Sequence, residues 1–361
     1  MTTRDLPTLD QLTAAQRRGD ALADALADAV HDDPAVRGEF AQALREGSST
    51  AAHPAVRAFV AEQERVAAAG EADLLAAGAR ATFTAPLAVH VFDVGAGALI
   101  SSYRPPGPAA VLTGTGRLVH GTQHRLTETA RWLSAASLPG GLVRGAEGWV
   151  MTAWVRLGHA VARRDVQRAS ASPDGVVPIS QMDSVRTWLD FTVVAPRSAH
   201  RLGFAVTDAE YAQFLTYWRF LGGLLGVEPA LITGAVDRRS AAELLRRVDA
   251  LTGPPSEDSR LLTEAGIEAL AGGLRDLVRV PLGPGRLAAR TVARHLQGPD
   301  LGRALGLGDP APQDRLVPLA AAVNRVGLSV LRRSDRVWNA VVDLNIWTNR
   351  RFLRESAELV A

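Results

Sequence analysis

Three features of the sequence predict an all-α fold. Ala, Leu, Arg and Glu dominate it, and these residues favour helix. Apolar residues recur at spacings of three and four, as in Ala241, Leu244, Leu245, Val248 and Leu251. Alternating β-branched segments, the mark of half-buried strands, are hard to find. The helical pattern covers about 8–30, 35–46, 54–79, 123–137, 146–165, 181–197, 207–226, 257–277, 284–296 and 315–357. Ser240 is a fitting N-cap for the example helix, and Gly253 a fitting stop. Turn residues mark the breaks: Asp33-Pro34, Pro105-Pro106-Gly107, Pro139-Gly140-Gly141, Ser172-Pro173-Asp174-Gly175, Gly253-Pro254-Pro255 and Pro310-Ala311-Pro312.

No linker or fixed-period repeat divides the chain. The expected architecture is one large helical domain of about a dozen helices, with a ligand pocket between the central ones. Residues 1–50 are expected to form a peripheral helical arm, and 51–361 the functional domain. The N-terminus, Met1 to Pro7, carries no apolar core of the signal-peptide kind. The longest apolar run, near Ala81 to Ile100, contains His90 and Asp93 and reads as buried in protein rather than lipid. A cytoplasmic protein without a membrane span is expected.

All 40 basic side chains are arginine, and cysteine is absent. The missing cysteine excludes disulfides, thiolate nucleophiles, Fe–S clusters and thiolate-ligated haem. The missing lysine excludes Schiff bases and Walker-type phosphate loops. The net charge is +2 and no dense basic stripe is interleaved with aromatics, so no nucleic-acid partner is expected. Val94-Gly95-Ala96-Gly97 and Gly114-Thr115-Gly116 lack the full dinucleotide fingerprint and any βαβ context, and close helix packing or a turn explains them better. No Gly-x-Ser-x-Gly elbow is present.

Among the 8 histidines, His159 stands out. It sits in a segment from Gly148 to Arg163 that is apolar nearly all round, which marks a buried helix. A buried neutral imidazole needs a partner, such as a metal or haem iron. Gly158 leaves room for a flat group. Arg156 and Arg163, at i−3 and i+4, suit two haem propionates. His120 and His124 share a helical face and offer an alternative, non-haem metal set together with His159. Arg125, Glu128, Thr129 and Trp132 line one face of another helix, which is either solvated or a polar pocket wall.

Arg125-Leu126-Thr127-Glu128-Thr129, with His159 34 residues after Arg125, resembles the core of the latex clearing protein and mpaB-type oxygenase family. Val155 to His159 is similar to the family's proximal segment. Val177-Pro178-Ile179-Ser180-Gln181-Met182-Asp183 is similar to its Pro-Ile-Asn-Gln segment. Tyr217 to Val227 is similar to its Trp-x-x-x-Gly-x-x-Leu-Gly segment. The resemblance implies an all-α protein holding haem b through His159, with O2 bound on the opposite side. Arg125, Glu128 and Thr129 would be the catalytic residues of that side, and Arg156 and Arg163 would support the cofactor.

Two departures bear on the reaction. Glu128 stands where the rubber-cleaving members have lysine, so an acceptor replaces a donor. Ser101 to Leu118 contains no Asp or Glu where those members carry an upstream glutamate. Glu128 either takes over the acid/base task or pairs with Arg125. The expected function is a haem-dependent oxygenase acting on a small or medium apolar intracellular molecule. A non-catalytic haem sensor or carrier and a non-haem histidine-metal enzyme are the alternatives.

Overall fold

Among the described residues helices take up 77%, and no strand occurs. The computed structural model describes residues 5–114, 117–169 and 174–357, without the side chains of 117–126, 277 and 357. The all-α expectation therefore holds. Some patterned stretches resolve into pairs. The 54–79 stretch is two helices, Pro54–Ala68 and Ala72–Thr82, interrupted at Gly70. The 315–357 stretch is Leu316–Leu331 and Asp335–Ala357. No single helix among the described residues is long and apolar enough to cross a membrane.

The chain divides into two units. The first comprises Met1–Ala79, Trp132–Val185 and Ala212–Val248, and the second Arg80–Arg131, Arg186–Tyr211 and Asp249–Ala361. This differs from a peripheral arm joined to one domain. Helices before residue 50 contribute side chains to the core of the first unit, where Leu12, Leu26 and Phe40 are fully buried. Phe40 meets Phe59 edge-on at 5.4 Å and Trp154 at 4.8 Å, the offset geometry that aromatic quadrupoles prefer.

The first unit is also held by ionic rungs. Helix Ala21–Asp32 and its N-cap Asp20 present Asp20, Asp24 and Asp28 at four-residue spacing. They meet arginines of helix Glu147–Ala169. Asp20 takes both forks of Arg156 at 2.6 and 2.9 Å. Asp24 accepts from Arg163 at 2.7 Å. Asp28 accepts from Arg164 at 2.7 Å and from Arg168 at 2.5 Å. Burial pushes the Asp24 carboxyl above its ordinary pKa even though the Arg163 charge opposes it.

In the second unit, Ile100, Leu262, Ile267, Ala289, Ala293 and Leu305 form the centre of the core. The apolar run reads out as helix Leu87–His90, a π-helical stretch Val91–Leu99 and helix Ile100–Ser102. A second π stretch, Asp190–Val194, follows helix Gln181–Leu189. A Cβ on Gly95 would collide with Leu270, and one on Gly97 with Ser198. The Gly-x-Gly run is thus close helix packing. Arg186 is buried with Asp190 at 2.5 Å and Asp249 at 3.2 Å, and donates to Ser101 Oγ at 3.1 Å.

His90 gives the second unit a pH dependence. Its Nδ1 lies 3.1 Å from Asp93 Oδ1, within the π segment's first turn. Burial works against the imidazolium, but the charge and hydrogen bond of Asp93 outweigh it, and the His90 pKa lies above its ordinary value. The pair's stabilisation is complete below the unfolded-state value of about 6.5 and is lost as pH rises through the higher folded value. The urea midpoint is therefore expected to fall as pH rises above about 6.5. Asp93→Asn should abolish or reverse that dependence, because burial then favours the neutral imidazole, and equal slopes in both proteins would reject the pair as its source.

Candidate functional site

The site is built around helix Glu147–Ala169. Its first turn is seated tightly: a Cβ on Gly148 would come within 2.6 Å of the carbonyl oxygens of Ala135 and Gly141. One turn on, Thr152 Oγ donates to Gly148 O at 2.6 Å and accepts from Trp132 Nε1 at 3.0 Å. Trp149 is fully buried. These contacts fix the register of the helix before it reaches His159, two turns beyond Thr152.

His159 itself is exposed, and so is Gly158. A Cβ added to Gly158 would meet nothing within 4 Å. The sequence reading expected a buried imidazole. The helix is instead buried on the side of Trp149, Ala153, Leu157 and Ala160, and His159 stands at the edge of that side. A rigid helix thus presents an imidazole beside an open glycine.

Arg156 and Arg163 do not flank that imidazole as propionate partners. Arg156 is buried with both forks on Asp20, and its guanidinium carbon stacks 4.8 Å from the Phe59 ring. Arg163 is buried against Asp24 and donates to Ile179 O at 2.6 Å. Spacing alone put them with His159, but the acidic row on the preceding helix turns them inward. In the structure both arginines hold the helix against that acidic row.

The other resembling segments serve the same clamp. Gln181 donates to Gly19 O at 3.1 Å and Gly226 O at 2.9 Å, and accepts from Glu228 N at 2.9 Å. A Cβ on Gly226 would strike Asp20 and lie 2.5 Å from Arg156 Nε. A Cβ on Gly19 would lie 2.5 Å from Asp24 Oδ2 and 2.9 Å from Arg163 Nε. Both glycines are absent side chains that make room for a buried Arg–Asp pair. The residues that sequence reasoning missed are Asp20 and Asp24, and their four-residue spacing was the available signal.

Helix Arg117–Ser137 carries the polar face. Glu128 is exposed, Thr129 half-buried and Trp132 buried. The side chain of Arg125 lies outside the described residues, as do those of His120 and His124. His159 belongs to the first unit, whereas Arg125, Glu128 and Thr129 belong to the second. Among the described residues, no group of three His, Cys, Asp or Glu side chains gathers as a metal site. A single exposed imidazole with an open glycine beside it fits one axial bond to a planar macrocycle. It does not form a multi-ligand cage with the described residues.

Comparison with known proteins agrees with the fold. A solved structure of latex clearing protein in the closed state is similar to the chain, with a TM-score of 0.68 and 21% sequence identity. The match covers 94% of this chain and 91% of that one. No curated protein sequence matches the chain. A family model described as ER-bound oxygenase mpaB/B'/rubber oxygenase, catalytic domain, matches residues 29–328. By that match the chain belongs to the mpaB and rubber oxygenase catalytic-domain family, a family of oxygenases.

Proposed function

We propose that this chain is a cytoplasmic haem b-dependent oxygenase that uses O2 on a small or medium apolar molecule. One observation carries the reading: His159 is presented beside the open Gly158 on a helix that is buried along one side and clamped there, in an oxygenase-family chain. His159 would hold the haem iron through one imidazole nitrogen. The bound haem supplies the oxidation chemistry, which no side chain here can perform. The protein fixes the ligand's direction through the Arg156, Arg163 and Trp132–Thr152 contacts. Arg125 contributes guanidinium donors, Thr129 a hydroxyl and Glu128 a carboxylate able to accept a proton.

Purified protein supplied with haemin should show a Soret band that shifts on adding CO, and no such band would end this reading. Oxygen uptake with candidate apolar substrates separates an oxygenase from a haem sensor or carrier. Glu128→Gln tests the acid/base assignment. Substrate oxidation is expected to slow by about 10²-fold with the Soret band unchanged. An unchanged rate would assign Glu128 to holding Arg125.

A further inference from the structure

We infer that the exposed face of helix Leu316–Leu331 is an interface between two copies of this chain. The helix is anchored on its other side. Val317, Ala321 and Leu328 are buried, and Asn324 Nδ2 donates to Leu202 O at 2.8 Å. Away from that side, Leu316, Leu319, Val323, Val326 and Val330 are each more than half exposed. Their spacing alternates three and four residues, which places them in one straight seam. A monomer rarely leaves such a row in water.

The row is self-complementary. Laid antiparallel on a copy of itself about Val323, Leu316 faces Val330. Leu319 then faces Gly327, and Ala320 faces Val326. Large side chains meet small ones on both sides of the centre. A two-fold interface requires a patch to match itself in this way. Gly327 is exposed, and a Cβ there would meet nothing in its own chain, so the gap opposite Leu319 is open.

Area points to the same occupant. The apolar side chains of this seam expose roughly 500 Å² per copy, so a pair would bury about 1,000 Å², the area a specific interface must reach. A lipid surface fits less well. A helix lying on a membrane carries a polar face rich in basic residues, whereas Leu316–Leu331 holds a single charge, Arg325.

Light scattering on the full chain across micromolar concentrations tests the inference. The wild type should have twice the chain mass. Val323→Asp, at the centre of symmetry, should halve it. Gly327→Leu should halve it as well, because the new side chain meets the partner's Leu319. Both positions are exposed, and leucine favours helix over glycine, so circular dichroism and Tm should hold. A monomeric wild type at every concentration overturns the interface, and so does a dimer that survives both substitutions. Sedimentation with phosphatidylcholine–phosphatidylglycerol vesicles provides the opposing arm. Gly327→Leu adds apolar area, so vesicle binding kept or strengthened by it would assign the face to lipid instead.

Discussion

His159→Ala is expected to yield a folded protein that no longer takes up haem. The side chain is exposed, so its loss removes little packing, and the cost to stability should stay within about 0.5 kcal/mol. Under the proposed reading the iron would lose the imidazole that holds it. Haem occupancy should fall by more than about tenfold, read from the Soret band against protein absorbance. Free imidazole added at millimolar concentration should restore part of the band, since it supplies the missing nitrogen without the helix. Gly158→Leu provides an independent check. Its Cβ meets nothing within 4 Å and the position is exposed, so stability should hold, while the space beside the imidazole is filled. A His159→Ala protein that retains full haem would overturn the ligand assignment. A Gly158→Leu protein that retains it would place the flat group elsewhere.

Helix Glu147–Ala169 was legible in the sequence because its apolar residues recur with helical spacing, and that pattern survives without knowledge of partners. The helix breaks at Gly70 and near Ser334 fell inside continuous patterns, because a short turn barely disturbs the three-and-four spacing. The π stretches at Val91–Leu99 and Asp190–Val194 have no period of their own to read, and packing against neighbouring helices sets them. The arginines mark where local spacing misleads. Arg156 and Arg163 lie three before and four after His159, yet their direction is decided by carboxylates more than 130 residues away. The segments Val177 to Asp183 and Tyr217 to Val227 were visible as patterns. Their physical task, Gln181 bridging two carbonyls and Gly226 yielding room to an ion pair, required the fold.

That clamp leads to the largest stability effect expected here. Arg156 and Asp20 are both largely removed from water and joined by two short hydrogen bonds. Removing one partner leaves the other as an uncompensated buried charge, which costs about 3–5 kcal/mol. Arg156→Ala also removes the stacking on Phe59. The Tm of the first unit should drop by on the order of 10 °C. Asp20→Ala should cost as much or more, because Asp20 also caps helix Ala21–Asp32 through Ala23 N. The double variant should cost much less than the two singles combined, since neither charge is then left alone. Arg156→Lys should recover only a minor part, because an ammonium cannot fork onto both carboxylate oxygens. The same variants distinguish a clamp from a propionate partner. If Arg156 serves the helix, Arg156→Ala kept well below its lowered Tm should bind haem as the wild type does. A variant of undiminished Tm that loses haem would return Arg156 to the cofactor.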